Sequence, residues 1–433
     1  MSEPVESAYK PRPGAEKVIV AGVRRDHALG FDESMDELRR LAESAGLNVV
    51  GRMTQTMRSP SPSTYVGKGK VIEIADAAKE NGAQAVLFNN ELKPGQQRAL
   101  EEGTLIKIVD RTQLILDIFA QRARTSEGKL QVELAQLEYM LPRLTGKGSA
   151  MTKLGGGVGT RGPGEQELEV DRRRIRRRIQ TLKTAINEVS RTRTLQRSAR
   201  QSVPVPIVSL VGYTNAGKST LMNTLSKSKI RTEDRLFSTL DPTTRRMRLT
   251  RAGGQEILLT DTVGFIRDLP HGLVASFRAT LEEVTEADLL LHVVDASSES
   301  HDAQMQTVRD VLEELKSADK PTLLVFNKAD RLDPEALAHV THEARERDGV
   351  VVSAVRGTGL NALQDAIARH LRRVWREVSL FLPFKRGDLH RLVKAQGQVV
   401  KEEFREDGIA VTAFVADALL GRLKEYVVPE KTS

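Results

Sequence analysis

The sequence contains no cysteine and few aromatic residues, and each shortage excludes a class of protein. With no cysteine among 433 residues, the chain has no disulfide framework, no thiol nucleophile and no cysteine-ligated zinc or iron–sulfur centre. We therefore expect it to work in a reducing compartment, the cytoplasm. Aromatic residues make up 4% of the chain and none falls within residues 161–200, which argues against base stacking by that segment.

Long apolar runs are missing as well. The longest, near residues 205–211 and 289–294, fall far short of the roughly 20 residues that a membrane-spanning helix requires. Residues 1–14 contain three prolines and two acidic residues, a composition unlike that of a signal peptide. We expect a soluble protein with no membrane partner.

The composition is that of a folded chain with several domains. Hydrophobic residues make up 39% and charged residues 29%, which excludes wholesale disorder. The length suggests about three to four domains of ordinary size. We predict an N-terminal α/β domain in residues 1–125, a basic helical hairpin and linker in 126–203, a third, α/β domain in 204–373 and a small C-terminal α+β domain in 374–433.

The first and last of these domains show little chemistry. Residues 16–124 alternate strand-like blocks (17–22, 47–53, 85–88 and 105–109) with helix-like blocks (35–45, 71–81 and 95–102). This alternation is typical of a parallel α/β domain. Residues 378–433 are expected to form a strand, a helix, two strands joined near 406–408 and a final helix.

Basic residues are concentrated in one segment. The chain carries a formal charge of +8, and residues 161–200 alone hold twelve basic and five acidic side chains. Apolar residues in this segment recur at the helical spacings of four and three, at Ile175, Ile179, Leu182, Ile186 and Val189. The same pattern occurs upstream, at Leu130, Leu134, Leu137 and Leu141. We predict an antiparallel helical hairpin with a glycine-rich, basic tip at 146–165 and a polar linker at 192–206.

The arginines of this hairpin allow two interpretations. One is a nucleic-acid-binding arm, in which arginine contacts phosphate through its charge and its bidentate geometry. The other is a solvated face on a structural hairpin. We favour the arm and expect RNA contacts from Arg172, Arg173, Arg174, Arg176, Arg177 and Arg178.

A phosphate-binding loop follows the apolar strand that begins near residue 206. Its glycines, lysine and serine have the spacing G-x-x-x-x-G-K-S between a strand and a helix, and its residues are Gly212, Tyr213, Thr214, Asn215, Ala216, Gly217, Lys218, Ser219 and Thr220. Such glycines let backbone N–H groups turn towards phosphate oxygens, and the helix N-terminus adds its dipole. Lys218 is predicted to bridge the β- and γ-phosphates, and Ser219 to bind Mg²⁺.

A second motif points to guanine. Asn327, Lys328, Ala329 and Asp330 follow an apolar strand at 322–325. The Asp330 carboxylate can accept hydrogen bonds from guanine N1–H and its 2-amino group, donors that adenine lacks. Asn327 is expected to support the base edge and the Lys328 stem to cover its face. A further strand ends at Ser353, Ala354 and Val355, where a backbone N–H can reach guanine O6.

Two segments between these motifs have the character of nucleotide switches. In switch II, Asp261, Thr262, Val263 and Gly264, we expect Asp261 to hold Mg²⁺ through water and the Gly264 N–H to sense the γ-phosphate. Switch I contains Phe237, Ser238, Thr239, Leu240 and Asp241. Thr239 is the preferred second Mg²⁺ ligand, with Thr243 and Thr244 as alternatives. Lys218, Thr239 and Gly264 are therefore the predicted catalytic residues.

The residue sequences of these motifs resemble those of one protein family. LVGYTNAGKSTL, FSTLDPTTR, DTVGFI and NKAD, with GGGVGTRGPGE ahead of an arginine-rich helix, resemble the HflX family of ribosome-associated GTPases from about residue 18 to at least residue 373. The resemblance implies a P-loop GTPase domain with a mostly parallel sheet between helices. It also implies binding to the large ribosomal subunit and its RNA, and splitting of stalled or idle ribosomes. A ribosome-assembly or ribosome-silencing factor that does not split subunits is the alternative.

Two residues bear on the mechanism. Phe265 follows Gly264, where Ras-like enzymes have a glutamine that orients the attacking water. Phenylalanine cannot make that hydrogen bond, so we expect slow intrinsic hydrolysis that ribosomes stimulate. Asn215 matches the position that binds K⁺ in potassium-activated GTPases of similar type. It either binds K⁺ or only braces the loop. We expect a monomer that does not bind DNA.

Overall fold

The computed structural model describes residues 14–25, 30–144, 163–200, 205–226, 236–237, 239–249, 255–267, 283–372 and 375–428. The chain divides into two compact units. The first contains residues 1–187 together with 235–237 and 269–276, and the second contains 188–234, 238–268 and 277–433. Within the described ranges, none of the helices combines the length and the apolarity needed to cross a bilayer.

A parallel sheet of four strands is the centre of the first unit. Its strands are β1 (Lys17–Arg25), β2 (Asn48–Met57), β3 (Ala85–Phe88) and β4 (Lys107–Asp110), in the order β2-β1-β3-β4. The connecting helices are α1 (Phe31–Ser44), α2 (Lys68–Asn81), α3 (Pro94–Thr104) and α4 (Arg111–Arg122). β3 is apolar and buried along its whole length, as expected of a strand covered on both faces. The predicted parallel α/β architecture is confirmed.

One boundary differs from the prediction. Leu105 was expected to begin the fourth strand, but it follows α3 in the left-handed conformation (φ 57°) and its side chain is 89% exposed. Its N–H closes the helix on the Glu101 carbonyl at 2.9 Å. Hydrophobicity alone therefore misplaced a residue that ends a helix.

Two further helices, α5 (Ser126–Met140) and α6 (Pro163–Arg200), form the predicted arginine-bearing pair. Leu134, Ile179 and Leu182 are buried between them, and the partly buried residues around these are Leu130, Leu137, Leu141, Ile175 and Ile186. Arg178 pairs with Glu133 at 2.7 Å and Lys183 with Glu138 at 2.8 Å.

These two ion pairs overturn the predicted antiparallel arrangement. Both join residues 45 positions apart, and the residue numbers rise together, so α5 and α6 run in the same direction. A leucine and isoleucine seam has the same spacing in either direction and cannot distinguish them.

α6 is also longer than predicted at both ends. It begins at Pro163, so 163–165 are helical rather than part of the glycine-rich tip, and proline is well suited to the first turn. It continues to Arg200, so 192–200 are helical rather than linker. That stretch has no glycine or proline to stop the helix. The rest of the predicted tip, 146–162, lies outside the described residues.

A six-stranded sheet organises the second unit. Its strands are β5 (Ile207–Gly212), β6 (Thr243–Leu249), β7 (Gln255–Asp261), β8 (Leu289–Asp295), β9 (Thr322–Asn327) and β10 (Val350–Val351), in the order β10-β9-β8-β5-β7-β6. Only β6, at one edge, is antiparallel to its neighbour. The helices are α7 (Lys218–Ser226), α8 (His301–Glu314), α9 (Pro334–Glu346) and α10 (Leu360–Leu371). Parallel strands end at a common edge, which brings the predicted motifs together.

The C-terminal segment adds a small antiparallel sheet. β11 (Trp375–Pro383) and β12 (Gly397–Arg405) flank β13 (Gly408–Ala416). α11 (Gly387–Gln396) precedes β12, and α12 (Asp417–Leu423) follows β13. Apolar residues of both helices and the sheet form one core, with Val393, Val411 and Leu423 near its centre. This is the predicted order of elements.

Candidate nucleotide site

The backbone of the loop between β5 and α7 has positive φ angles and close contacts that restrict which residues can occupy it. Gly212 has φ 151°, and a Cβ atom there would lie 2.3 Å from the Val293 carbonyl oxygen. Gly217 has φ 94°, and a Cβ atom there would lie 2.3 Å from Asn327 Nδ2. Asn215 takes the left-handed conformation at φ 60°, which asparagine tolerates better than most residues. Both glycines of the motif are therefore required by close approach.

Lys218 opens α7 and is buried beneath the loop. Its ammonium group donates to the carbonyl oxygens of Gly212 at 3.0 Å and Tyr213 at 2.9 Å. Burial lowers the pKa of Lys218 to about 8, although the carboxylate of Asp261 acts in the opposite direction. An ammonium group held by neutral carbonyls keeps its charge available for phosphate.

Three side-chain oxygens of the predicted magnesium ligands meet at the ends of β7 and switch I. Ser219 Oγ donates to Asp261 Oδ2 at 2.6 Å, Thr239 Oγ1 donates to the same oxygen at 3.0 Å, and the two hydroxyls lie 2.8 Å apart. Asp261 Oδ1 is buried and has no hydrogen-bond partner among the described residues. Mg²⁺ prefers such oxygen ligands. This donor set, with one unsatisfied carboxylate oxygen, fits Mg²⁺.

Thr243 and Thr244, the alternatives to Thr239 as Mg²⁺ ligand, have other neighbours than Ser219. Thr244 Oγ1 lies 3.0 Å from Thr260 Oγ1 on the neighbouring strand. Thr243 is in β6, opposite Asp261 in the backbone register. The hydroxyl that the structure brings to Ser219 is that of Thr239. Ser238 lies outside the described residues.

Backbone hydrogen bonds connect the residue after switch II to the phosphate-binding loop. Phe265 N–H donates to the Gly212 carbonyl at 3.1 Å, and Thr214 N–H donates to the Phe265 carbonyl at 2.7 Å. The Phe265 side chain is only 1% exposed, so it is part of the core and cannot position a water molecule. Tyr213 adds a third connection, because its hydroxyl accepts from Arg267 N–H at 2.9 Å.

Gly264 lies against both the loop and the lysine. A Cβ atom there would approach Lys218 Nζ and Thr214 Cα to 2.9 Å. Any side chain would displace the groups that are predicted to face the γ-phosphate. The Thr262 hydroxyl is used differently, because it donates to the Leu210 carbonyl at 2.6 Å inside the sheet.

The predicted base-recognition residues form a connected group. Asp330 Oδ1 accepts from Ser353 Oγ at 2.5 Å, and this hydrogen bond lowers the pKa of Asp330. The carboxylate is therefore ionised and can accept both guanine donors. Asn327 Nδ2 donates to the Ala216 carbonyl at 2.9 Å, while its Oδ1 accepts from Ala354 N–H at 3.0 Å. Both ends of the Asn327 amide thus hold protein segments, so its support of the base is indirect.

The sequence interpretation missed a residue at this end of the site. Asp295 Oδ2 lies 2.6 Å from Lys328 Nζ, and both side chains are mostly buried. Asp295 ends β8 and lies opposite Asn327 in the parallel register. The signal was available, because an acidic residue directly after the apolar strand 289–294 falls at the same sheet edge as the nucleotide motifs.

The remaining residues predicted to contact GTP differ in their exposure to solvent. Val355 is 77% exposed, whereas Leu240 and Phe237 are each 2% exposed. Phe237 belongs to the first compact unit, whereas the phosphate-binding loop belongs to the second. Thr220, Val263, Ala329 and Asp241 are in the segments predicted for them.

The arginine face of α6 is partly committed to ion pairs. Arg178 makes a bidentate contact with Glu133 at 2.7 and 2.8 Å. Arg173 and Arg176 both lie near Glu169, at 3.5 and 3.7 Å. Arg174 and Arg177 are exposed and make no ion pair within the described part of the chain. The side chains most available to an external phosphate are therefore those two.

Three family models match parts of the chain. Residues 32–120 match a family model described as the N-terminal region of GTP-binding GTPases, residues 122–200 match their middle region, and residues 207–328 match one described as a 50S ribosome-binding GTPase.

Relatives cover nearly the whole chain. GTPase HflX of Caldanaerobacter subterraneus subsp. tengcongensis is 45% identical over 397 residues, 92% of this chain and 91% of that protein. GTPase HflX of Escherichia coli is 44% identical over 376 residues, 87% of this chain and 88% of that protein. Among solved structures, a GTP-binding protein from the archaeon Sulfolobus solfataricus in complex with GDP is 23% identical, with a TM-score of 0.45, and covers 83% of this chain and 99% of that chain.

Proposed function

Because the chain belongs to the HflX family of GTPases, we propose that it binds the large ribosomal subunit in its GTP state and separates the subunits of stalled or idle ribosomes. The chain binds and hydrolyses GTP, as its family and its GTPase domain indicate. The main support for binding to the large ribosomal subunit is the match of residues 207–328 to the 50S ribosome-binding GTPase model. We place the protein in the cytoplasm, as a monomer.

The nucleotide chemistry follows from the grouped residues. Lys218 and the loop N–H groups hold the β- and γ-phosphates, and Asp330 selects guanine. Ser219 and Thr239 are the proposed direct ligands of Mg²⁺, with Asp261 acting through water. When bound, this ion neutralises charge that develops on the phosphate oxygens. The Gly264 N–H then reports the γ-phosphate to switch II.

Hydrolysis lacks one component that other GTPases carry. Phe265 is buried where a water-orienting glutamine is needed. We therefore propose slow hydrolysis by the free protein and acceleration on the ribosome. Asn215 has a left-handed backbone in the phosphate-binding loop, and we propose that its side chain binds K⁺, which supplies positive charge in place of an arginine finger.

Contact with ribosomal RNA is assigned to the arginine face of α6. Arg174 and Arg177 supply exposed charges that the described part of the chain does not neutralise. Arginine binds phosphate through two parallel hydrogen bonds, which gives affinity with little sequence selectivity. GTP binding orders the switches, the arm holds ribosomal RNA, and hydrolysis releases the protein.

The test is sedimentation of intact ribosomes with the full-length protein at fixed salt. We expect separated subunits with a non-hydrolysable GTP analogue and intact ribosomes with GDP. Intact ribosomes carrying bound protein in both states would instead support the assembly or silencing function. A parallel single-turnover assay measures hydrolysis with and without large subunits, and equal rates would contradict ribosome stimulation.

A further inference from the structure

A histidine and two carboxylates meet between α8 and α9, and none of the three is among the residues assigned to the nucleotide. His301 and Asp302 are the first two residues of α8, and Glu343 lies in the last turn of α9. One potential ligand atom from each of these side chains lies within 4.8 Å of the other two. All three residues belong to the second compact unit.

The ring of His301 is oriented by its neighbours. Its Nδ1 lies 3.0 Å from the Ser298 carbonyl oxygen, and because a carbonyl oxygen can only accept, Nδ1 carries a proton and donates it. Edge-to-face packing against Phe326, with ring centroids 6.5 Å apart, supports the plane of the ring. The other ring nitrogen, Nε2, then faces the two carboxylates, at 3.4 Å from Glu343 Oε2 and 4.0 Å from Asp302 Oδ2.

This orientation of the imidazole is suited to a cation. In the neutral ring with a proton on Nδ1, the lone pair of Nε2 points towards two negative groups, which is unfavourable unless a positive charge lies between them. A histidine that binds a metal ion usually donates its other N–H to a backbone carbonyl or a carboxylate, because this fixes the tautomer. The hydrogen bond from His301 to Ser298 is of that kind.

The two carboxylates are held from the opposite side by Arg347, directly after α9. Arg347 Nη1 lies 3.2 Å from Glu343 Oε1 and 3.4 Å from Asp302 Oδ1. These are not the oxygens that face His301, which are Glu343 Oε2 and Asp302 Oδ2. The arginine therefore orients both carboxylates and leaves one oxygen of each for a further ligand, as is usual around carboxylates that bind metal.

We propose that His301, Asp302 and Glu343 form a binding site for a divalent transition-metal ion, Zn²⁺, with water as the fourth ligand. The separation of 3.4 Å between His301 Nε2 and Glu343 Oε2 matches the edge of a tetrahedron whose bonds to the metal are about 2.0–2.1 Å long. A small movement of the exposed Asp302 side chain brings its oxygen to the same distance. An imidazole nitrogen favours Zn²⁺ over Mg²⁺, which is bound by oxygen. The ion links α8 to α9.

The experiment is a Zn²⁺ titration of the full-length protein in saturating Mg²⁺ and GDP, so that the nucleotide site is already filled. We expect saturable Zn²⁺ binding and a melting temperature that rises with Zn²⁺ concentration, because an ion that binds only the folded chain stabilises it. His301→Ala and Asp302→Asn should each weaken this binding by at least about tenfold, since loss of a residue that only supports a ligand already costs that much. His342→Ala is the matched control, because His342 lies 3.6 Å from Glu346 on the exposed side of α9. It should bind Zn²⁺ as the wild type does.

Asp302→Asn decides the question if His301→Ala fails to fold, because the Asp302 side chain is 71% exposed. Its GDP affinity should equal that of the wild type, which separates the metal site from the nucleotide site. No saturable Zn²⁺ binding by the wild type, or equal Zn²⁺ affinity in the wild type and Asp302→Asn, overturns the proposal and leaves His301 as a partner of the carboxylates alone. An equal loss of affinity in His342→Ala would indicate binding by surface histidines in general and would also overturn it.

Discussion

The ammonium group of Lys328 lies 2.6 Å from the carboxylate of Asp295, across the carboxyl ends of β8 and β9. Lys328 also has a left-handed backbone at φ 65°. The ion pair with Asp295 fixes the end of its side chain, and we expect it to keep the lysine stem beside the guanine base.

Replacement of Asp295 tests this relationship. Asp295→Asn removes the charge-assisted hydrogen bond, which is worth about 1.5–3 kcal/mol in such settings. Because the contact is at the base end of the site, we expect GTP and GDP to weaken alike, by about tenfold. Equilibrium binding of both nucleotides measures this, with Asp302→Asn on the exposed start of α8 as the control. A loss confined to GTP would contradict the assignment.

Asp330 is predicted to determine the base. In Asp330→Asn the carboxylate becomes an amide that donates where guanine also donates, so GTP affinity should fall by about 10²-fold or more. Xanthosine triphosphate presents an oxygen in place of the 2-amino group and should bind this variant better than GTP does. Competition binding with both nucleotides gives the answer. Retained preference for GTP would show that another group reads the base.

Nucleotide binding should depend on pH through Lys218. Its pKa is lowered to about 8 by burial, and a bound phosphate raises the pKa because it stabilises the ammonium form. Binding therefore takes up a proton near pH 8, and affinity falls as pH rises above about 8. Calorimetry of GDP binding in buffers of different ionisation enthalpy measures the uptake. Lys218→Arg, which stays charged, should show none.

Potassium should stimulate hydrolysis through Asn215. At constant ionic strength, replacement of K⁺ by Na⁺ should slow single-turnover hydrolysis by about tenfold or more, because the smaller Na⁺ ion does not fill a position that fits K⁺ and the positive charge is then missing near the transition state. In Asn215→Ala the two cations should give the same low rate. If wild-type hydrolysis is unaffected by the exchange, Asn215 only braces the loop.

Arg174 and Arg177 should contribute to RNA affinity additively. Each change to glutamine should weaken binding to ribosomal RNA and reduce the slope of log affinity against log salt by about 0.7–0.9 for each lost phosphate contact. Arg309→Gln, exposed on α8, is the matched control. Unchanged salt slopes in Arg174→Gln and Arg177→Gln would leave this face as a solvated surface.

The parts of the site that were predictable from the sequence are local. The phosphate-binding loop, switch II and the Asn327–Asp330 motif depend on fixed spacings beside apolar strands, and the structure brings Lys218, Ser219 and Asp261 together. The hydrogen bond from Leu236 N–H to Ser44 Oγ joins residues that are 192 positions apart in the sequence. Both are ordinary apolar or small polar residues, so no local pattern could reveal their pairing. The predicted antiparallel arrangement of α5 and α6 was wrong for a related reason. Apolar periodicity shows which residues pack between two helices, but not whether the helices are parallel or antiparallel.

The shared direction of these two helices has an electrostatic consequence. The constant offset of 45 residues places Ser126, the first residue of α5, level with Asp171 and Arg172 of α6. Each helix has a partial positive charge of about half a unit at its N-terminus. In an antiparallel pair the end of the partner beside the arginines would have been negative. Here the α5 terminus lies beside the arginine cluster and adds to its positive field, so we expect a polyanion to be attracted first to this stretch of the pair.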